Sequence, residues 1–212
     1  MDDSSSQKVR FIMFHVKNMS PADFEFAVSI TDQMEWGLAK QDFQFMLELE
    51  PKGSFVLLED TERIGIATTV SYGEVGWFGN LVVNQSKRKS GGGSLLVEHS
   101  VKYLTSQHVE TIGLYAYTER IPFYRRLGFE CDSELIVLKG KGFSSPAKTD
   151  VTKISKKDLE RVINFDAVCF GASRKKLLEP ILLDPDNPCY EYLEDGEISG
   201  YAAVKYTEDW QS

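Results

Sequence analysis

Residues 80–104 decide the fold of this 212-residue chain, and they read NLVVNQSKRKSGGGSLLVEHSVKYL. An apolar strand over residues 81–83 is followed by a polar, basic turn and then by three consecutive glycines at residues 91–93. Apolar residues recur at helical spacing from Val97 onward, so the glycines stand at the start of a helix. The unpaired N–H groups of a helix N-terminus attract anions, and glycines leave those groups accessible. The stretch therefore predicts a site for a diphosphate.

The composition is that of an ordinary globular protein, and it argues against several classes of partner. Hydrophobic residues make up 42% of the chain and charged residues 26%, while the formal net charge is -8. An acidic protein is repelled by nucleic acid and by anionic membrane surfaces, so neither is an expected partner. Against this background, the basic cluster at residues 87–89 is either a solvated turn or a part of the anion site.

Cysteine use and the lack of long apolar segments predict a cytoplasmic location. Cys131, Cys169 and Cys189 lie far apart and form no CxxC pair, so neither a disulfide framework nor a zinc site is expected. No segment approaches the roughly 18 apolar residues that cross a bilayer. The three histidines have no partner at metal-ligand spacing and are interpreted as structural. We therefore expect no metal.

The pattern along the chain predicts two parts joined by a linker. Residues 1–8 form a flexible polar tail, residues 9–140 a first domain, and residues 141–147 a linker rich in Gly, Ser and Lys. Apolar periodicity predicts an α/β first domain in the order β-α-α-β-β-β-α-β-α-β, with an antiparallel meander and then a parallel βαβ unit. Its predicted strands are 10–17, 54–58, 63–71, 74–83, 111–117 and 129–138, and its helices 20–34, 41–49, the helix after the glycines, and 121–127.

Residues 148–212 repeat the strand–helix–helix–strand–turn–strand order of residues 10–71, which predicts a partial second copy. Its predicted strands are 148–154, 189–193 and 198–206, and its helices 157–168 and 173–183. The repeat stops where the first copy continues into its long central strand. Either the chain is truncated there or a half-domain packs against the first domain, and truncation is the favoured interpretation.

Two motifs in the first domain resemble those of the GNAT superfamily of N-acetyltransferases. RKSGGG at residues 88–93 fits R/Q-x-x-G-x-G/A, and FYRRLGF at residues 123–129 fits the F/L-Y-x-x-x-G-F segment of the family. The resemblance covers about residues 8–140. Other phosphate-binding patterns fit less well, because a dinucleotide fingerprint has its glycines directly after the strand, and here they follow about eight residues later. A P-loop needs Gly-Lys-Ser/Thr, which is missing.

The resemblance implies a GNAT-type acyl-CoA N-acyltransferase fold, with a mixed, mostly antiparallel central sheet and flanking helices. It implies acetyl-CoA as the acetyl donor, with the pyrophosphate on backbone amides of the turn and the pantetheine arm paired with the strand. One amide of this segment is also expected to polarise the thioester carbonyl. The implied cofactor contacts are Leu81, Val82, Val83, Arg88, Lys89, Ser90, Gly91, Gly92, Gly93, Ser94 and Thr118, the last where the family often has asparagine.

Tyr124 is the predicted catalytic residue, because the matching tyrosine of the family is often the general acid beside the CoA sulfur. The alternative for Tyr124 is a half-buried aromatic residue that only packs. A general base is also expected, since an amine with a pKa near about 10.4 is almost fully protonated at neutral pH. Glu35 and Glu74 are the candidates, and Trp36 lies beside Glu35 in the region that lines the acceptor pocket in the family. Both glutamates could instead be ordinary surface carboxylates.

The sequence thus predicts an N-acetyltransferase that moves an acetyl group from acetyl-CoA directly to a primary amine of a small molecule or peptide. Two alternatives from other classes stay open, namely an acyl-CoA-binding regulatory module without catalysis and an interaction scaffold. The second part resembles the C-terminal region of two-lobed family members, through FD at 165–166, FGASR at 170–174 and LL at 177–178. It lacks the pyrophosphate turn, so we expect it to shape the acceptor pocket or a subunit interface. A homodimer is one option.

Overall fold

The computed structural model describes residues 13–136 and 150–205. The predicted tail at residues 1–8 and the predicted linker at residues 141–147 lie outside the described residues, so the domain boundaries stay a prediction. None of the described helices is long and apolar enough to cross a membrane.

A five-stranded mixed sheet forms the centre of the first part of the chain. Its strands, in spatial and chain order, are β1 (Phe14–Asn18), β2 (Ser54–Glu59), β3 (Glu62–Tyr72), β4 (Val75–Val83) and β5 (Thr111–Gly113). Neighbouring strands are antiparallel except β4 and β5, which are parallel and joined through a helix. The helices are α1 (Phe24–Asp32), α2 (Lys40–Leu49), α3 (Gly92–Ser106) and α4 (Ile121–Arg125). The predicted α/β class and mostly antiparallel sheet are confirmed.

The helices cover both faces of this sheet, because successive strand residues point to opposite sides. Val56 packs in a cluster with Ala27 of α1 and Phe43 of α2. Its neighbour Leu57 packs on the other face, in a cluster with Leu96 of α3. We call these the α1/α2 face and the α3 face of the sheet.

A buried aspartate fixes the start of the first helical segment. Asp23 has no exposed surface, and its carboxylate accepts hydrogen bonds from Lys17 at 2.7 Å, Arg63 at 2.7 Å and the Ser20 backbone N–H at 2.9 Å. A 3₁₀ turn over Pro21–Asp23 then leads into α1. Two cations and a backbone donor satisfy a carboxylate that would otherwise be costly to bury.

Strand β4 contains a bulge, and beyond its third residue it separates from β5. Thr68 pairs with Gly79 while Ile66 pairs with Val82, so one extra residue of β4 is accommodated between these pairs. Asn80 takes a left-handed conformation there, with φ of 50°, and its amide donates to Thr68 Oγ1 at 3.0 Å. On the other side, β5 pairs only with the first three residues of β4, ending at Trp77. A V-shaped opening, called the V below, therefore separates the carboxyl-terminal part of β4 from the segment after β5.

The second part repeats the first three strands and two helices. It contains β6 (Val151–Lys153), α5 (Leu159–Phe170), α6 (Lys175–Leu183), β7 (Tyr190–Glu194) and β8 (Glu197–Ala202), with an antiparallel sheet in the order β6-β7-β8. The Ser155 backbone N–H and hydroxyl both donate to Asp158, as those of Ser20 do to Asp23. We call residues 150–205 the second unit.

Two predicted strands of the first domain were wrong in extent. The strand predicted at 111–117 ends at Gly113, because β4 is no longer within reach beyond Trp77. Residues 129–136 of the strand predicted at 129–138 form no strand, and residues 137 and 138 lie outside the described residues. Side chains 131–136 are exposed, and a strand without a hydrogen-bonded neighbour is not stable.

Candidate active site

The start of α3 presents backbone N–H groups at the wide end of the V. The first helical bond runs from the Leu95 N–H to the Gly91 oxygen at 3.1 Å. The N–H groups of Gly92, Gly93 and Ser94 therefore have no acceptor among the described residues, as expected for the first turn of a helix. The helix dipole adds partial positive charge at the same place, so this turn can bind an anion.

The three glycines of the turn differ in their structural roles. Gly91 adopts a left-handed conformation, with φ of 97°, and a Cβ there would have open space around it. A Cβ on Gly92 would lie 2.7 Å from Leu57 Cδ2, so this glycine allows α3 to pack closely on the sheet. A Cβ on Gly93 would lie 3.6 Å from the Phe123 ring and 3.9 Å from Val83 Cγ2. Gly93 thus lies between the end of β4 and α4.

The basic cluster of the turn is mostly engaged with the protein. Lys87 forms ion pairs with Glu59 and, at 3.6 Å, with Glu62, and the hydrogen bond to Glu59 raises the pKa of Lys87. Arg88 Nε donates to the Val83 carbonyl oxygen at 3.0 Å. Lys89 is exposed, and no carboxylate in the part of the chain that the structure describes pairs with it. Of the three cations, Lys89 is the one left to face an anion.

The backbone of β4 directs polar groups toward the V at Leu81 and Val83. The Asn84 N–H donates to the Ile64 oxygen at 2.8 Å, so this pair of residues is hydrogen-bonded. Antiparallel ladders alternate bonded and non-bonded pairs, which directs Val82 toward β3 and directs Leu81 and Val83 toward the V. The expected pairing of the Val82 backbone with a ligand in the V is therefore not supported, whereas Leu81 and Val83, which were also predicted contacts, direct their backbone groups there. The carbonyl of Val83 is already taken by Arg88.

Tyr124 lies in an aromatic cluster on the α3 face beside the V. Its ring centroid is 6.5 Å from that of Phe78 in β4, 5.0 Å from Phe123 and 5.9 Å from Phe129. Burial raises the pKa of the Tyr124 phenol to about 12, against a smaller opposing effect of Arg120. Because Phe123 also approaches Gly93, the structure brings the second sequence motif next to the first. At neutral pH the phenol carries its proton and can act as a donor.

The predicted acceptor residues separate into two groups. Trp36 Nε1 donates to the Tyr117 hydroxyl at 3.0 Å, so the loop between α1 and α2 reaches across to the far arm of the V. Glu35 is exposed beside Trp36 and has φ of 57°. Glu74 precedes β4 and is bound through its carbonyl to the N–H groups of residues 110 and 111. A strand rises about 3.3 Å per residue, so Glu74 is about 20 Å from Leu81 and is not brought to the site.

Thr118 lies at the rim of the V. It begins a 3₁₀ turn over Thr118–Arg120 and is exposed, directly after Tyr117. Its side chain forms no hydrogen bond with the other residues that the structure describes. Its position is compatible with contact to a ligand in the V.

Aromatic residues, of which the sequence had predicted only Trp36 for the site, line the α1/α2 face of the V. Phe170 of the second unit lies 5.9 Å from Trp77 and 5.6 Å from Tyr72 between ring centroids, and Trp77 lies 4.7 Å from Tyr115. The bonded pair of Trp36 and Tyr117 continues this surface. We define the aromatic band as Tyr72, Phe170, Trp77, Tyr115, Tyr117 and Trp36. The glycine at position 79, inside a strand pattern, was a sequence signal for the bulge, whereas no local signal pointed to Phe170.

The polar groups that line the V are not grouped as metal ligands. Within residues 13–136 and 150–205, no group of three or more His, Cys, Asp or Glu side chains could hold a metal ion. The donor set of the V is backbone amide, phenol and aromatic surface, which suits an organic ligand with an anionic end.

Comparisons with known proteins point to one family. The sequence model described as the acetyltransferase (GNAT) family matches residues 18–129, which is more than half of the chain. A comparison with curated proteins found no match.

Solved structures share the fold. A protein from Pyrococcus horikoshii described as an acetyltransferase aligns with a TM-score of 0.67 and 18% identity, over 96% of this chain and 76% of its own. A Trypanosoma brucei acetyltransferase aligns with a TM-score of 0.51 and 16% identity, over 60% of this chain and 99% of its own. An aminoglycoside N-acetyltransferase in complex with CoA aligns with a TM-score of 0.53 and 17% identity, over 63% of this chain and 99% of its own. The first likeness extends through most of the second unit.

Proposed function

Since the chain belongs to the GNAT family of acetyltransferases, we propose that it transfers the acetyl group of acetyl-CoA directly to a primary amine of a small molecule or peptide. Acetyl-CoA-dependent N-acetylation is the general activity of the family, and the direct transfer and the kind of acceptor are our proposals. Both proposals rest on the geometry of the V. It ends at the free N–H groups of α3, exposes backbone of β4, and has the Tyr124 phenol beside it.

The residues of the V fit acetyl-CoA. The N–H groups of residues 92–94, with Lys89 beside them, would bind the pyrophosphate. Ser90, whose hydroxyl donates to the Lys87 oxygen at 2.6 Å, and Gly91 shape the turn that brings those groups together. The backbone of Leu81 and the N–H of Val83 would pair with the amides of the pantetheine arm, as an added strand pairs with a sheet edge. Arg88 supports this edge through its bond to Val83.

Groups of the chain itself would then assist different steps of the transfer. Acetyl-CoA supplies a thioester whose carbonyl carbon accepts the amine nitrogen and whose sulfur departs as a thiolate. The Leu81 N–H would stabilise the negative charge that develops on the carbonyl oxygen. The Tyr124 phenol would donate to the departing sulfur. No covalent bond to the protein is needed, because the amine attacks directly.

The amine must lose a proton before it attacks. Deprotonating a lysine-like amine at neutral pH costs about 4–5 kcal/mol, so a nearby acceptor for the proton accelerates the reaction. We propose Glu35, acting directly or through water, because it adjoins Trp36 on the acceptor side. A Glu35→Gln variant should lose activity mainly near neutral pH and recover part of it at higher pH, where more of the amine is already neutral. A pH-independent loss would remove Glu35 from this role.

Two measurements test the proposed function. Acetyl-CoA at about 100 times its Kd should stabilise the protein by about 2.7 kcal/mol, which is about 5–10 °C in Tm for a chain of this size. Release of free CoA thiol in the presence of an amine panel should then show turnover. Stabilisation without turnover would instead indicate an acyl-CoA-binding regulatory module, and no stabilisation at millimolar acetyl-CoA would refute both readings. A cytoplasmic location and a homodimer stay predictions.

A further inference from the structure

The aromatic band begins at the apex of the V and lies on its α1/α2 face. Trp77 and Gly113 are the last residues that pair β4 with β5. The Trp77 ring covers Gly113, since a Cβ there would lie 2.5 Å from a ring carbon. Phe78 is buried against α3, so its neighbours Trp77 and Gly79 point to the opposite face. Tyr115 and Tyr117 follow along the other arm, and 66% and 53% of their surfaces are exposed.

Gly79 leaves a gap between the band and the strand edge at Leu81. A Cβ on Gly79 would have only Thr68 Oγ1 near it, at 3.9 Å, and the backbone of Gly79 is not left-handed. Neither backbone conformation nor packing therefore requires glycine at this position. The missing side chain opens a passage from the aromatic band to the backbone of Leu81, where the thioester is placed under the proposed function.

The second unit completes the band through Phe170 and fixes its position. The Arg174 guanidinium carbon lies 4.3 Å from the centroid of the Phe170 ring. Arg174 Nε donates to Asp166 Oδ2 at 3.0 Å, and the Tyr201 hydroxyl donates to Asp166 Oδ1 at 2.6 Å. This network holds one face of Phe170 against Arg174, while the centroid of the Phe170 ring lies 5.9 Å from that of Trp77 and 5.6 Å from that of Tyr72.

The charges next to Phe170 disfavour a second ammonium group of the acceptor at that end of the band. Asp166 is fully engaged by Arg174 and Tyr201. Glu50 accepts from the Tyr103 hydroxyl at 2.6 Å, the Ser71 N–H at 3.0 Å and Lys176 at 2.8 Å. Neither carboxylate is free to bind a second ammonium group of the acceptor. Arg174 and Lys176 would also repel a polycation that extended toward Phe170 and Tyr72.

We propose that the acceptor is a primary amine joined by a short chain to an aromatic ring. Its ring packs against the part of the aromatic band nearer Leu81, namely Trp77, Tyr115 and Tyr117, and its amine passes over Gly79 to the thioester at Leu81. Phe170 of the second unit acts indirectly, because it packs against Trp77 and supports the position of that ring. The inference rests on the proposed function, and it adds the class of acceptor and the surface that selects it. Offset and edge-to-face contacts between rings explain why a flat group would be preferred to an aliphatic chain.

Binding and turnover are measured separately to test the inference. Phenethylamine and spermidine are titrated calorimetrically into protein saturated with CoA, which gives acceptor affinity without chemistry. Phenethylamine should bind more tightly than spermidine. In Gly79→Val its Kd should rise about tenfold or more, because branched carbons then fill the passage. Gly79→Ala should have a smaller effect. In both variants acetyl-CoA affinity and Tm should stay near those of the unmodified protein.

Phe170→Leu tests the contribution of the second unit. Loss of the ring that supports Trp77 should weaken phenethylamine binding about 2- to 10-fold and leave spermidine binding unchanged. Tyr190→Leu is the matched control, since Tyr190 is an exposed aromatic of the same unit outside the band. Tighter binding of spermidine than of phenethylamine, or unchanged phenethylamine affinity in Gly79→Val, overturns the inference. If phenethylamine binds as expected but no thiol is released, the proposed function is overturned, whereas the inferred binding surface for the ring is retained.

Discussion

Replacing Tyr124 by phenylalanine removes one hydroxyl and leaves the aromatic cluster in place. The ring contacts to Phe78, Phe123 and Phe129 involve only the carbon skeleton, so the Tm should change by about 2 °C or less. The acetyl-CoA Kd should also stay within about twofold, because the pyrophosphate and pantetheine contacts come from backbone groups. The effect of the variant should therefore be confined to kcat.

The size of that effect follows from the phenol's environment. Burial raises the pKa of Tyr124 to about 12, whereas a thiol has a pKa near about 8.5, so complete proton transfer to the thiolate would be uphill by about 5 kcal/mol. Tyr124 should then act chiefly as a hydrogen-bond donor to the developing thiolate. A hydrogen bond to a charged group contributes about 1.5–3 kcal/mol, which corresponds to a fall in kcat of about 10- to 150-fold.

The pH dependence supplies a second readout. A phenol with a pKa of about 12 stays protonated across the usual assay range, so Tyr124 ionisation should not reduce kcat below about pH 10. The assay is steady-state thiol release from pH 6 to 10 with saturating acetyl-CoA, for the unmodified protein and for Tyr124→Phe. The reasoning would be refuted by a kcat loss below about threefold. It would also be refuted by an alkaline decline between pH 8 and 10 that disappears in the variant.

Four further variants test the turn and the packing. Gly92→Ala should lower the free energy of unfolding by about 1–3 kcal/mol, because the new Cβ would lie 2.7 Å from the buried Leu57 side chain. Gly93→Val should instead leave the Tm unchanged and raise the Kd for acetyl-CoA about tenfold. The opposite pair of results would contradict the roles assigned to the two glycines. Asp23→Asn should lower the free energy of unfolding by about 2–4 kcal/mol at pH 7, as measured by denaturant unfolding. Burial alone would raise the pKa of Asp23, but hydrogen bonds from Lys17, Arg63 and Ser20 hold it well below its usual range. The Asp23 carboxylate therefore contributes its full stabilisation at pH values above its pKa in the unfolded chain, about 3.9, and loses that contribution as the pH falls toward its lower pKa in the folded state. The stability of Asp23→Asn should accordingly decrease less steeply in acid than that of the unmodified protein. Lys176→Met removes the ion pair with Glu50 and should weaken the packing of the second unit on the first part of the chain by about 1 kcal/mol. Hydrogen exchange of the amides in α6 should then be faster. Unchanged exchange would show that this ion pair is dispensable.

Local signals were sufficient for most of the fold. Helix starts, turns and apolar periodicity depend on neighbouring residues, so the order of elements and the parallel βαβ unit followed from the sequence. The strand predicted at 129–138 did not form over residues 129–136, because a strand requires hydrogen bonds from a neighbour that local sequence does not specify. The same reason shortened β5 to three residues.

Positions within the site were harder to predict than the site itself. The bulge at Asn80 adds one residue to β4, and a shift of one residue exchanges the backbone groups that face β3 with those that face the V. Leu81 and Val83, rather than Val82, therefore direct their backbone groups toward the V. Glu74 was adjacent to the correct strand in sequence, but the length of an extended strand places it at the opposite end.

The sequence by itself determined the anion-binding turn, since three glycines before a helix create free N–H groups through local geometry. It also determined that Tyr124 lies on a short helix. Only the tertiary structure decided that this phenol lies beside β4, that Gly79 opens the α1/α2 face, and that Phe170 meets Trp77 across 93 residues of chain. Contacts of this kind depend on how sheets and helices pack, which is a property of the whole chain rather than of any stretch within it.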